Sequence, residues 1–168
     1  MNPIKAHLLN RLRPQVQHMT TMTDEEAFAM GDRAIKAGMT YRIGTAILFW
    51  WKAPGGFMLP RRRGVIVDIG KEEGDIRVDD GAERVRCLWG HGNVPDLRDP
   101  GTKGHAVAQL RERTGDPFLS TYGRTRLDSD EVPVVVWDVQ SDDVDLTAEH
   151  PTEEEAIVAA FETTKETP

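Results

Sequence analysis

The feature that most constrains the fold is a run of six apolar residues at positions 46–51, AILFWW. The run has no helical period, and its β-branched and aromatic side chains are typical of a strand that is covered on both faces. It lies near the start of residues 41–89, which contain three of the four tryptophans and the only cysteine, Cys87. We therefore expect the chain to build its core around this stretch.

Turn signals divide the rest of this stretch into short strands. Pro54-Gly55-Gly56 predicts a turn after the first strand, and Asp80-Gly81 predicts a tight hairpin turn. The apolar pattern between and after these turns predicts strands at residues 64–69, 75–79 and 83–89. Consecutive strands joined by short turns predict an antiparallel sheet.

Three segments carry a resemblance to a known superfold: GVIVDI at 64–69, GDIRVDDG at 74–81 and RVR at 84–86. Together they resemble the strands of an SH3-like barrel, as in KOW and Tudor modules, and the resemblance covers residues 41–89. It implies a small curved sheet that binds peptides, methylated tails or nucleic acid, or that packs within a larger assembly. Such a fold does not by itself determine function.

Helices are predicted on both sides of this sheet. Asn2-Pro3 begins one over residues 2–13, and a capping box from Thr23 to Glu26 begins a second, which Gly38 ends. A third is predicted at 103–114, after a loop at 90–104, and a fourth begins after Thr152. Residues 117–122 are predicted to be extended, and the last six residues to fray.

These elements predict an α+β fold in which a small curved antiparallel sheet or SH3-like barrel is flanked by about four helices. A strand at 132–139 is expected to complete the barrel sheet. We divide the chain into an N-terminal helical segment (1–40), an SH3-like β core with an inserted helix near 103–114 (41–139), and an acidic C-terminal segment with a short helix (140–168).

Charge is distributed very unevenly along the chain. Residues 1–70 carry 10 Lys/Arg and 5 Asp/Glu, residues 71–127 carry 10 of each, and residues 128–168 carry 1 and 13. A basic front and an acidic tail predict two electrostatic surfaces. They either attract each other within the molecule or each face a partner.

The motifs argue against most enzyme classes, and we predict no catalytic residue, no metal site and no cofactor. A single cysteine excludes an intramolecular disulfide and a multi-cysteine zinc site. The sequence matches no phosphate-binding loop, dinucleotide fingerprint or nucleophile elbow. Cys87 is interpreted as a core residue. The polar loop around His91, with glycine on both sides, keeps a small enzyme open as an alternative.

The apolar run is far too short to cross a bilayer, and residues 1–5 lack the apolar core of a signal peptide. We therefore expect a cytoplasmic protein with no membrane partner.

The leading hypothesis is a non-enzymatic accessory module that binds another protein through charged surfaces. In one version the contact is a basic aromatic face. Its residues are Trp50, Trp51, Phe57, Arg61, Arg62 and Arg63. In the other version the contact is the acidic tail, represented by Asp142, Asp143 and Asp145.

Two further alternatives stay open. The basic aromatic face could bind nucleic acid, since arginines pair with phosphate and aromatic rings stack on bases. The acidic tail could instead act as a nucleic-acid mimic, an inhibitor from a phage or mobile element that blocks a host defence protein. The carboxylates of that surface would be Asp128, Asp130, Glu131, Asp138, Asp142, Asp143, Asp145, Glu149, Glu153, Glu154 and Glu155.

Overall fold

The computed structural model describes residues 22–50, 62–90, 92–142, 146 and 148–165. Over these residues the chain forms three helices and seven strands. The helices are α1 (Asp24–Lys36), α2 (Pro100–Thr114) and α3 (Glu153–Lys165). The strands are β1 (Ala46–Phe49), β2 (Arg62–Ile69), β3 (Asp75–Asp79), β4 (Arg84–Leu88), β5 (Val94–Pro95), β6 (Ser120–Leu127) and β7 (Pro133–Gln140).

The first five strands form one antiparallel sheet in the order β4-β3-β2-β1-β5. This confirms an α+β fold with a five-stranded antiparallel sheet. The strand pairings within the described residues leave the sheet open rather than closed into a barrel. The likeness to an SH3-like barrel therefore stays a prediction.

The fifth strand of the sheet is not the predicted one. It is β5, in which Val94 and Pro95 pair with β1, within the segment predicted to be a loop. The strand predicted at 132–139 corresponds to β7, which pairs with β6 in a separate two-stranded sheet. The loop prediction also missed the first turn of α2, which Asp99 caps and Pro100 begins.

The signals for helix ends were more reliable than the assignment of strands to a sheet. Thr23 and Glu26 form the predicted capping box at α1, and Gly38 follows the helix with a φ of 96°. The structure describes three helices rather than four, and the helix predicted at 2–13 lies outside the described residues. Of the last six residues, which were predicted to fray, the first three continue α3 to Lys165 and Thr164 is buried, so the prediction is wrong for them; residues 166–168 lie outside the described residues.

The apolar run forms the centre of the sheet, with both faces of β1 buried. On one face, Ile47 and Phe49 pack with Ile66, Ile76 and the other residues of one cluster. On the other face, Leu48 packs with Val94 and Ala27 of α1. The prediction of a strand covered on both faces is therefore confirmed.

A second core lies between the three helices and the base of the β6–β7 hairpin. Leu110 of α2, Phe161 of α3 and the hairpin residues Leu119 and Val139 are almost completely buried in it. In contrast, residues 122–127 are all exposed. The hairpin is therefore anchored at its base and exposed along its outer half.

Candidate functional site

The basic aromatic face predicted from the sequence is only partly described. Trp51, Phe57 and Arg61 lie outside the described residues. Trp50 is partly exposed, with its indole ring packed near Gly92.

The two described arginines of this face are held by carboxylates. The Arg62 guanidinium lies 2.8 Å from Asp80 and 3.0 Å from Glu83. The Nε atom of Arg63 lies 2.9 Å from the buried Asp96. Backbone N–H groups of the β3–β4 turn and the neighbouring arginine hold the pKa of Asp80 below its usual value. A ligand phosphate would therefore have to compete with carboxylates already in place.

The arginines of β3 and β4 show the same arrangement. Arg77, Arg84 and Arg86 lie on one face of the sheet, because Arg77 pairs in register with Arg86 and Arg84 is two residues further along. Each lies within ion-pair distance of a carboxylate of the sheet or its loops: Arg77 with Asp68, Arg84 with Asp79, and Arg86 with Asp75 and Glu72. This face is a network of alternating charges rather than a basic patch.

Several carboxylates of the acidic C-terminal segment are also paired with cations of the same molecule. Glu155 and Glu162 of α3 each lie 2.8 Å from Arg33 of α1. Glu153 and Glu154 contact Lys103 of α2 at 2.6 and 3.1 Å. Burial lowers the pKa of Lys103, but its bonds to these two carboxylates outweigh burial, so that the pKa is raised. The tail thus docks on the rest of the protein, including the N-terminal helix α1.

Other members of the predicted acidic surface are also engaged. Glu149 lies 2.7 Å from Arg124 and 2.9 Å from Arg126. Asp138 is buried, with one oxygen 3.5 Å from Arg124. The backbone N–H of Asp142 donates to a neighbouring carboxylate. Asp143 and Asp145 lie outside the described residues.

Three carboxylates at the turn of the β6–β7 hairpin differ from the rest. Within the described part of the chain, Asp128, Asp130 and Glu131 have no cationic side chain within ion-pair distance. One oxygen of Asp128 accepts hydrogen bonds from the N–H groups of Asp130 and Val132, which shapes the turn. We call residues 127–132 the hairpin tip.

Exposed apolar side chains are concentrated on the same hairpin. Ten large apolar residues of the described chain are exposed, and five of them lie between positions 118 and 135. These five are Phe118 (80% exposed), Leu127 (60%), Val135 (51%), Tyr122 (50%) and Val132 (40%). Grouped exposed apolar residues indicate an interaction surface more strongly than scattered ones do.

The base of the hairpin is held by one carboxylate, Asp116. It accepts hydrogen bonds from the N–H of Phe118 before β6, and from the Ser141 hydroxyl and Asp142 N–H after β7. The Ser141 bond, with the backbone bonds, lowers the pKa of Asp116. This clamp fixes where the two strands leave the core, and therefore where the tip is presented.

The side chains considered for catalysis offer no assembled site within the described residues. Cys87 is buried in the sheet core, and burial raises the pKa of its thiol to about 11. His91 lies outside the described residues. A search of the described part of the chain found no group of three His, Cys, Asp or Glu residues placed to hold a metal ion. In the same part of the chain, no helix is both long and apolar enough to span a membrane.

No protein-family model, curated protein or solved structure matches this chain. The residues of the candidate site are therefore assigned from structure alone.

Sequence reasoning listed the tip carboxylates within a longer acidic surface and missed the apolar residues beside them. A signal was present, because Ser120 to Leu127 contains β-forming threonine and tyrosine residues and precedes a polar turn and a valine-rich strand. The strand prediction at 132–139 had assigned that second strand to the wrong sheet.

Proposed function

We propose that this protein is a non-enzymatic protein-binding module and that its contact surface is the hairpin tip with the adjoining Val135. One observation carries the proposal: uncompensated carboxylates and grouped exposed apolar side chains coincide there. The two kinds of group make different contributions to binding. Apolar burial supplies affinity, and charge supplies orientation and a faster encounter.

The partner that fits this surface is a protein with an apolar depression bordered by lysine or arginine. Leu127 and Val135 would enter the depression, while Asp130 and Glu131 would meet the basic border. Burying one such aliphatic side chain contributes about 1.5–3 kcal/mol. Two of them, with oriented ion pairs, are sufficient for a specific hot spot at a small interface.

The other charged surfaces receive less support. The arginines of the sheet already have carboxylate partners, so nucleic-acid binding would have to displace them. A nucleic-acid mimic would need a long row of accessible carboxylates. Of the nine described carboxylates of the row expected from the sequence, five lie within ion-pair distance of a cation, which favours a compact contact at the tip.

Affinity capture from a lysate of the native host, with two pairs of variants, tests the proposal. In the first pair, the double variant Leu127→Ser, Val135→Ser removes the apolar contact. Its control is Ile43→Ser, which alters an exposed apolar residue outside the hairpin. In the second pair, the double variant Asp130→Asn, Glu131→Gln removes two negative charges from the tip. Its control is Glu73→Gln, which removes a negative charge from the β2–β3 loop. The captured protein is then purified and its Kd measured for each variant.

We expect both hairpin variants to weaken Kd by about tenfold or more, equivalent to about 1.4 kcal/mol, and both controls to leave it unchanged. Circular dichroism and the unfolding midpoint establish that each variant is folded. If the hairpin variants bind as tightly as the unaltered chain, the tip is not the contact surface. If a purified partner binds only when the arginine pairs of the sheet are intact, the basic face is the site instead.

A further inference from the structure

The outer edge of β6 has backbone groups that are directed away from its own hairpin. Trp137 of β7 exchanges two 2.8 Å backbone hydrogen bonds with His150, so its N–H and C=O point away from β6. In an antiparallel ladder, paired residues point their backbone groups either both inward or both outward. Gly123, the register partner of Trp137, therefore directs its own N–H and C=O outward.

The same alternation applies along the whole strand. Thr121, Thr125 and Leu127 share the orientation of Gly123, since they are two or four residues away. Among the described residues, the outward backbone groups of these four positions make no hydrogen bond. The strand is eight residues long, pairs with β7 without a register shift, and is exposed from residue 122 to 127.

Such an edge is a ready template for another strand. Natural edge strands are usually blunted by proline, lysine, a bulge or a covering element. The β6 sequence has neither proline nor lysine, its ladder with β7 has no bulge, and its two charged residues, Arg124 and Arg126, are both paired with Glu149 of the same chain. Gly123 is explained by side-chain packing rather than by protection of the edge, because a Cβ there would lie 3.0 Å from the Trp137 ring.

We propose that β6 pairs antiparallel with β6 of a second copy of this chain, about a two-fold axis at Gly123. The product is a continuous four-stranded sheet, β7-β6-β6-β7, with two hairpin tips at opposite ends. This inference does not depend on the partner proposed for the tip. It goes beyond that function because it assigns a different surface and a different occupant.

Self-complementarity of the strand is what points to a second copy. With the axis at Gly123, Tyr122 of one chain lies opposite Arg124 of the other. Tyr122 is exposed, and the Arg124 side chain is 46% exposed although its guanidinium also lies 2.7 Å from Glu149 of its own chain. A guanidinium whose edge holds a carboxylate still has a flat face that can pack against an aromatic ring. The contact occurs twice, as an isologous interface requires.

Two neighbouring registers also pair outward-facing residues with one another, with the axis at Tyr122 or at Arg124. The Tyr122-centred register places Arg124 opposite Ser120 and so loses both contacts between Tyr122 and Arg124. The Arg124-centred register places Gly123 opposite Thr125. That register places the two Arg124 side chains directly opposite each other, and like charges at such positions are destabilising. The Gly123-centred register avoids this repulsion.

Sedimentation equilibrium on the full chain tests whether β6 pairs with β6 of a second copy. The test variant is Thr125→Pro, and Thr125→Val is its matched control. Proline removes the outward N–H of Thr125 but no bond between β6 and β7, and edge strands tolerate proline at such positions. Valine keeps the N–H and the β-branched shape. The hairpin tip is left intact in both variants, so partner capture distinguishes this proposal from the proposed function.

We expect a dimer for the unaltered chain and for Thr125→Val, with Thr125→Pro weakening the dimer about tenfold. Each copy loses the hydrogen bond that the N–H of Thr125 donates to the other copy. The loss of two such bonds accounts for a dimer dissociation constant about tenfold larger. A chain that stays monomeric at its highest soluble concentration would overturn the proposal. So would a dimer that Thr125→Pro and Thr125→Val leave equally stable.

Disulfide trapping tests the register independently. Tyr122→Cys and Arg124→Cys chains, each confirmed as folded, are mixed and oxidised, and Cys87 does not compete because it is buried. Opposed residues of this kind have Cβ atoms about 4.5–5.5 Å apart, close to what a disulfide needs. We expect the mixed disulfide to form at least tenfold faster than either homodisulfide. A dominant homodisulfide of either variant, or no cross-link, would overturn the Gly123-centred pairing.

Discussion

The five-stranded sheet and the β6–β7 hairpin both expose charged residues, but they use the charge differently. The described arginines of the sheet all lie beside carboxylates from neighbouring strands and loops. In the hairpin, Arg124 and Arg126 are paired with Glu149, whereas the tip carboxylates have no cation near them among the described residues. The comparison teaches that charge counted along a sequence is not charge available to a partner.

The apolar residues follow the same division. Exposed apolar positions on the sheet, such as Val65 and Leu88, are separated by ion-paired side chains. On the hairpin, Leu127, Val132 and Val135 lie near the turn, beside the unpaired carboxylates, whereas Tyr122 lies nearer the base. A two-stranded ribbon is marginally stable by itself. Its exposed outer half is therefore more simply explained by binding than by a need of the fold.

The largest expected effect concerns Asp96, a completely buried carboxylate beside β5 that is paired with the partly exposed Arg98 and Arg63. Asp96 is fully buried and accepts bonds from Arg98 at 2.8 and 3.0 Å and from Arg63 at 2.9 Å. Asp96→Ala leaves the partly buried Arg98 without its main partner. We expect a loss of about 3 kcal/mol in the free energy of unfolding, measured with urea.

The matched control is Asp68→Ala, which breaks the exposed pair with Arg77. Both side chains are more than half exposed, so the loss should stay below about 0.5 kcal/mol. Equal losses in the two variants would show that burial does not separate structural pairs from surface pairs here. The sheet would then not differ from the hairpin in the way we describe.

A smaller effect is expected at Asp116, the clamp at the base of the hairpin. Its pKa is lowered in the folded protein, so the clamp contributes stability above the unfolded pKa of about 3.9, and this contribution is lost as the pH falls through the folded pKa. We expect Asp116→Asn to be less stable than the unaltered chain at neutral pH. The difference should shrink as the pH is lowered below about 4.

Unfolding midpoints measured from neutral to acid pH check this expectation. Asp130→Asn serves as the control, since Asp130 is exposed and accepts no bond from the base of the hairpin. A stability difference for Asp116→Asn that is independent of pH would mean that the lost shape of the site, rather than the carboxylate charge, is responsible.

How well the sequence predicts this structure depends on whether a feature is determined by neighbouring residues or by residues far apart in the chain. Local signals were confirmed: the Thr23–Glu26 capping box, the turn at Asp80-Gly81, and the buried run at the centre of the sheet. Each depends on backbone geometry within a few residues. The predictions of α1 and β1 were strong because the residues at the ends of each element and the apolar pattern within it favoured the same structure.

Pairings between distant residues could not be predicted in the same way. The choice between β5 and β7 as the fifth strand depends on which one reaches β1, and a two-residue strand such as Val94–Pro95 has no recognisable pattern. The same limit applied to charge. Whether Glu155 faces solvent or Arg33 is decided by how α3 packs on α1. Part of the predicted acidic surface is therefore paired within the molecule, and the apolar residues next to its unpaired part were missed.

The smallest effect is expected at the hairpin tip, where Glu131 adopts a left-handed backbone with a φ of 60°. This conformation costs a non-glycine residue about 1–2 kcal/mol, whereas glycine adopts it readily. Glycine also has more freedom to lose on folding, by about 0.5–1 kcal/mol, so the two terms partly cancel. We expect Glu131→Gly to raise the free energy of unfolding by only about 0.5 kcal/mol.

Glu131→Gln and Glu131→Asn separate backbone strain from charge in the same measurement. Glutamine removes the charge and keeps the strain, so its free energy of unfolding should equal that of the unaltered chain. Asparagine tolerates the left-handed region and should lie between glutamine and glycine. If glutamine alone stabilised the chain, repulsion among the tip carboxylates would be the source of instability. The tip would then hold unfavourable charge that a basic partner relieves, and the contrast with the neutralised sheet would be stronger still.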